Sequence, residues 1–277
     1  FFGGYIFIAS LKYILASYRV GDWAFWINPN LIAGGVFFGA MTAVILINQL
    51  NVDKGWLFQI GVSAIAVFTL YLAKSWTPIL GFAVFWGILI AARYSSKVRQ
   101  LLEKRVFWLS FFSAIFVLVP IGMYIFTAND GFGVSLSGRT GIWQEFFEVW
   151  TSSQESIWIG MKTYFMTADT QLVTHNAFLD VLGSYGVIGY VILFGGILFL
   201  TFRASQKSYS LNQILCLAAF VGACVHALME NYMNSFEWIA PVFFCLGLFI
   251  CQMNGSDQEE HTKEQAPQDS DTKVEVE

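Results

Sequence analysis

The sequence predicts an all-α polytopic membrane protein, with about eight transmembrane helices and one large extracytoplasmic loop containing short amphipathic helices. Three observations predict it. Of the 277 residues, 56% are apolar and only 12% charged, whereas a soluble domain carries roughly 25% charged residues. The apolar residues fall into blocks of spanning length, about 17 to 25 residues each. These blocks are apolar throughout, with no alternation of the kind a barrel strand shows and no internal repeat.

Spans are expected at 1–17, 31–49, 55–73, 76–92, 106–126, 186–202, 211–230 and 236–253. The first opens at Phe1 without a basic segment or a small-residue cleavage site, so it reads as the inside of a truncated span rather than a signal peptide. Residues 55–73 and 76–92 are joined only by Lys74-Ser75, a tight turn set by Pro78. The chain thus divides into five helices over 1–126, a loop over 127–185, three helices over 186–253 and a tail over 254–277.

Charge gives the orientation. The connector 93–105 holds Arg93, Lys97, Arg99, Lys104 and Arg105 against Glu103 alone, and Lys54, Arg203 and Lys207 fall on the same side by alternation. The other side has Arg19, Lys74, Arg139 and Lys162, a bias of eight to four that makes the first side cytoplasmic. The loop 127–185 then lies outside the cytoplasm. The tail carries eight acids and two lysines, about −6 of a net charge of −4, which leaves the membrane body near +2. With almost no apolar residues the tail cannot bury a core and is expected to be disordered. Cys216, Cys224, Cys245 and Cys251 all sit in hydrophobic blocks, with no Cys-x-x-Cys or Cys/His spacing for a metal.

The loop is where chemistry is expected. Projected at 100° per residue, Trp143, Phe146, Phe147 and Trp150 share one face of a helix over 139–150, with Glu145 and Glu148 opposite. That pattern predicts an interfacial helix, apolar side on the membrane surface. Arg139 falls on the aromatic side, where its planar fork suits a phosphate or anchors the helix to ordinary phospholipid by snorkelling. Further on, Thr174 or Asn176 is a cap candidate for a helix through Ala177, Phe178, Leu179, Val181 and Leu182. His175 would then sit in its first turn, where exposed N–H groups and the helix dipole favour anions. A histidine there is either structural or poised for proton transfer. Gly183, Gly186 and Gly189 follow, as close helix packing requires.

Four pieces in order carry a family resemblance: Arg19-Val20-Gly21 through Asn28-Pro29-Asn30-Leu31-Ile32-Ala33; Ser137-Gly138-Arg139 with Trp143; Trp158-Ile159-Gly160; and His175-Asn176-Ala177-Phe178-Leu179 with Leu182, Gly186 and Gly189. Together they resemble the O-antigen ligase/O-antigen polymerase family, polytopic enzymes that handle polyprenyl-diphosphate-linked glycans. The chain departs from that pattern in three places. Trp76 stands where the family has Arg, with Lys74 nearby. Ser184 stands where an acid is common, with Asp180 one turn earlier, and Lys162 replaces a glycine.

The resemblance implies transfer of a glycan from a polyprenyl diphosphate to an acceptor hydroxyl, at the outer side of a bacterial cytoplasmic membrane. Acceptors would be a glycolipid, another glycan or a protein. Preorganised cations assist a departing diphosphate most; the role falls to Arg139, with Lys74, Lys162 and Arg19 as supporting cations and Asn176 and Asp180 beside them. His175 would take the acceptor's proton, or donate to a phosphate oxygen. No cofactor, metal or nucleic acid is expected, since the one Asp-x-Asp, Asp269-Ser270-Asp271, lies in the tail on the wrong side. His226 and Glu230, at i and i+4 near the outer end of their span, are ionisable groups in a membrane; they either line the acceptor cavity or join helices by hydrogen bonds. The rival class is a transporter or glycan-export component, in which repeats and broken polar spans are usual.

Overall fold

The computed structural model describes residues 29–50, 53–129, 138–161, 166–167, 170–171, 174–203, 209–230 and 243–250. The expected span 1–17, Arg19, Lys162 and the acidic tail lie outside the described residues. The described elements are helical apart from one pair of two-residue strands. In order they are α1 (Pro29–Gln49), α2 (Gly55–Leu72), α3 (Trp76–Tyr94), α4 (Ser96–Leu102), α5 (Arg105–Ala128), α6 (Arg139–Trp150) and α7 (Gln154–Ile159). Then come β1 (Met166–Thr167) and β2 (Thr170–Gln171), antiparallel with Met166 opposite Gln171, followed by α8 (Ala177–Arg203) and α9 (Leu211–Ala227). Residues 243–250 are also helical.

Among the described residues, four helices are long and apolar enough to cross a membrane: α2, α3, α5 and α8. Between 17% and 33% of each such window is buried within the protein, so most of their apolar surface faces outward. Trp56, Phe58 and Phe68 on α2, Leu118 and Ile121 on α5, and Val191 and Ile192 on α8 are all at least half exposed. In water such a surface would be unstable; against lipid it is the expected state. α9 differs, with every residue from Gln213 to Cys224 buried, so it is a central helix enclosed by the others. Its apolar run and that of α1 (Ala33–Gln49) are shorter than a full span.

Packing centres on α9 and α3, which cross at Gly81 and Gly222. A Cβ on Gly81 would stand 2.7 Å from the Gly222 carbonyl oxygen, and one on Gly222 would stand 2.9 Å from the Gly81 oxygen. Only glycine at both positions allows this approach, the usual device of membrane helix contacts. The turn between α2 and α3 is as tight as expected, but Pro78 is not what closes it. Lys74 adopts a left-handed φ of 54°, and the Lys74 and Ser75 amides donate to Tyr71 and Leu70. Pro78 is buried in the first turn of α3, where a missing N–H costs little.

α5 carries an internal proline, Pro120, which leaves the carbonyl of Phe116, four residues back, without its helical donor. The Tyr190 hydroxyl of α8 donates to that carbonyl at 2.8 Å. Around this bond the rings of Phe116, Phe194 and Tyr190 pack with centroids 4.4 Å apart.

α8 begins at Ala177, nine residues before the span expected at 186, and is broken at Gly186 (φ 63°, ψ −171°). That conformation is essentially confined to glycine. The break exists because α7 docks there: a Cβ on Gly186 would lie 2.4 Å from the Trp158 carbonyl, and one on Gly160 would lie 2.5 Å from the Ser184 oxygen. The Met161 amide donates to the Gly183 carbonyl at 2.7 Å across the same junction.

At the basic end, Arg105 stacks on the Phe202 ring at 3.6 Å and the Tyr209 amide donates to Glu103. α9 starts with a reciprocal cap between Ser210 and Gln213. Cys216, Cys224 and Cys245 are buried and in no disulfide; Cys251 is outside the described residues.

Candidate functional site

The site is built where α6, the start of α8 and the end of α9 meet. α6 turns its aromatic face inward: Trp143 and Phe146 are fully buried, and with Phe147 and Leu179 they form a core that also takes in Met123, Phe126, Met161 and Met229. The face predicted at the sequence level is present, but protein covers it rather than membrane surface. Periodicity identifies an apolar face without identifying what covers it. α6 is therefore a fixed platform.

Arg139 is the first residue of α6, after Gly138 in a left-handed φ of 80°. A cation at a helix N-terminus opposes the helix dipole, so an anion is needed beside it. Glu230 supplies one, its Oε1 lying 3.2 Å from Arg139 Nη2. The other oxygen, Oε2, lies 3.6 Å from His175 Nδ1. One carboxylate thus joins the two residues singled out in the loop. The side chains of Arg139, His175 and Glu230 are 21%, 35% and 12% exposed, half-open to incoming molecules but shielded enough for charges to act on one another.

The strand of chain carrying His175 is held on three sides. Trp143 Nε1 donates to the Thr174 carbonyl at 2.7 Å. Thr174 Oγ1 donates to the Asn176 carbonyl at 3.0 Å. Asn176 Nδ2 donates to the Leu228 carbonyl at 3.0 Å, tying the start of α8 to the end of α9. Between these anchors His175 takes a left-handed φ of 49°, uncommon for a residue other than glycine. Two well-bonded neighbours impose that conformation, and the imidazole is thereby aimed rather than free.

Several expectations are corrected by this geometry. Asn176 caps α8, its Oδ1 accepting from Phe178 and Leu179 at 3.0 Å each, so His175 precedes the cap and is not in the first turn. Those two N–H groups are therefore committed to Asn176 and are not exposed to an anion. α9 ends at Ala227; Glu230 lies in the turn beyond it and does not share a helical face with His226. His226 is fully buried against the rings of Phe37 at 5.1 Å and Phe38 at 6.2 Å, where it packs α9 against α1.

Asp180 is buried in the first turn of α8, where an acid suits the dipole. Lys74 is exposed in its turn and shares no hydrogen bond or ion pair with the cluster among the described residues. Trp76, two residues on, is 65% exposed. Among the described residues, no three His, Cys, Asp or Glu side chains gather as a metal-ligand set. Sequence reasoning gave no role to Thr174 as an anchor for Trp143 or to the Leu228 carbonyl. Contacts between residues 31 and 52 positions apart leave no local signal. No family model, no curated protein and no solved structure matches the chain.

Proposed function

We propose that the protein is a membrane glycosyltransferase of the O-antigen ligase type, moving a glycan from a polyprenyl diphosphate to an acceptor hydroxyl outside the cytoplasm. It would work in a bacterial cytoplasmic membrane, on about eight spans, as part of surface polysaccharide synthesis. The observation that supports this best is the Glu230 carboxylate between Arg139 and His175. It joins a cation suited to phosphate oxygens and a group suited to proton transfer.

In this mechanism the acceptor oxygen attacks the anomeric carbon and a new C–O bond forms. The bond from that carbon to the diphosphate breaks, and the diphosphate leaves with the electron pair. His175 takes the hydroxyl proton; its Nδ1 faces Glu230, so Nε2 is the accepting nitrogen. Glu230 balances the imidazolium that results, in the way a buried carboxylate supports histidine in a catalytic triad. Arg139 faces the charge growing on the phosphates. With a neutral histidine the cluster has a formal charge of zero, so a further cation is needed for a diphosphate. Lys74, Arg19 and Lys162 are assigned that task. The transfer is metal-independent in this scheme.

The test is transfer of a labelled polyprenyl-diphosphate glycan in proteoliposomes, offered glycolipid, glycan and protein acceptors in turn. The acceptor that becomes labelled separates ligase, polymerase and protein-glycosylating activity. Arg139→Ala and His175→Ala should each lower the rate by about 10²-fold or more at normal protein levels. Full activity in both variants would refute the site. Accumulation of an untransferred glycan on the far side of the membrane would instead favour a transporter. Activity should survive excess chelator, and loss restored by a divalent ion would remove the metal-independent scheme.

A further inference from the structure

On the opposite side of the molecule from this cluster, an open groove of about 780 Å³ runs between α2 and α3. Arg93, in the last turn of α3, stands at its mouth with Trp56 and Tyr94, and Val67 lies at its far end. We infer that the groove binds an anionic phospholipid from the leaflet on the basic side of the membrane, its phosphate on Arg93 and one acyl chain between the two helices.

Dimensions, lining and charge lead to this ligand. Trp56 and Val67 are eleven residues apart on α2, about 16 Å at ~1.5 Å per residue. One leaflet contributes about half of a ~30 Å hydrocarbon core, so the groove has the depth of a single acyl chain. The polar groups in its back wall are engaged within the protein. Trp86 Nε1 donates to Ser63 Oγ at 3.0 Å, Ser63 Oγ donates to the Gln59 carbonyl at 2.7 Å, and Gln59 Nε2 donates to the Val44 carbonyl at 3.3 Å. A wall with its donors so used suits a hydrocarbon chain better than a sugar or peptide. At the mouth, tryptophan and tyrosine are the residues that favour the headgroup level. Arg93 is exposed, and its neighbour in the connector, Arg99, is already paired with Glu103 at 2.8 Å. Arg93 is thus the groove's own cation, matched in sign to an anionic headgroup.

The experiment uses the full chain in bilayers containing phosphatidylglycerol or phosphatidylcholine with a diazirine on one acyl chain, followed by mapping of the photo-adducts. Adducts are expected on the peptides bearing Ile60 to Val67 and Leu89 to Ile90. Phosphatidylglycerol should label them about fivefold more than phosphatidylcholine, the effect of one basic residue near the surface. Arg93→Gln should bring the two lipids level, Arg93→Lys should keep the preference, and Lys97→Gln, outside the groove, should leave it intact. Labelling elsewhere but not in the groove would mean that protein covers it and would overturn the inference. Equal labelling of the parent protein by both lipids would overturn the anionic headgroup, without needing any variant to fold.

Discussion

At the scale of single residues, Glu230 decides how Arg139 and His175 can act. It fixes a cation at a helix end that disfavours cations, and it faces the imidazole with negative charge. Glu230→Gln preserves the shape and still offers Arg139 an oxygen, but it removes the charge opposite His175. We expect transfer to fall about tenfold or more, short of the ~10⁴-fold loss when a triad's orienting carboxylate is neutralised. The difference arises because His175 is 35% exposed, so water shares in stabilising its charge. Initial rates in proteoliposomes at matched protein levels measure this, and a rate within about twofold of the parent would take Glu230 out of the mechanism. In the sequence, Arg139 and His175 are legible through their motifs. Their meeting through Glu230 is not, because Arg139 and Glu230 lie 91 positions apart. The i, i+4 relation to His226 pointed Glu230 at the wrong neighbour, since the helix ends between them.

At the scale of elements, two devices couple helices that the sequence shows only separately. The first is the proline and tyrosine pair. Pro120 withdraws the donor from Phe116, and Tyr190 replaces it from another helix. Tyr190→Phe should destabilise the protein by about 1 kcal/mol, within the range measured for hydrogen bonds between membrane helices. In a Pro120→Ala background the helical N–H returns, and the cost of Tyr190→Phe should shrink toward zero. Unfolding in mixed micelles, read as a double-mutant cycle, tests this; equal costs in both backgrounds would show that the hydroxyl does not serve that carbonyl.

The second device is the glycine junction of α7 with α8. Gly186→Ala forces a side chain into a backbone conformation costing about 1–3 kcal/mol, and its Cβ would meet the Trp158 carbonyl at 2.4 Å. Because the same stretch of α8 starts at the Asn176 cap, activity should fall with it, whereas Gly195→Ala, with open space around it, should be silent. Transfer rates and thermal inactivation midpoints of the two variants check this pair; matching values would dismiss the junction. Sequence reasoning anticipated close packing at these glycines. It also placed a helix through Ala177 to Leu182 ahead of the span at 186; it did not anticipate that the two would run on as one helix broken at Gly186, where α7 docks.

At the scale of the whole molecule, α2, α3, α5 and α8 present apolar surface outward and α9 fills the centre. That arrangement is compatible with a multi-pass membrane protein, and the positive-inside bias predicts which side is which. With Cys251→Ser removing the thiol outside the described residues and the buried thiols shielded, Lys74→Cys should react with an impermeant maleimide on intact cells. Lys97→Cys should react only after permeabilisation. The reverse pattern would invert the topology and place the Arg139 cluster on the cytoplasmic side, excluding the proposed donor's outer-leaflet chemistry.

The sequence alone determined the helical class, because backbone groups in hydrocarbon must bond within their own segment and long apolar runs then become helices. It also determined the apolar face of α6, because periodicity is local, and it singled out Arg139 and His175 as side chains whose chemistry suits phosphate and protons. Only the tertiary structure decided what that face packs against, which helix lies at the centre, and that Glu230 bridges Arg139 and His175. Those outcomes depend on which distant segments meet, and a contact across 91 residues is set by the packing of whole helices rather than by anything beside either residue.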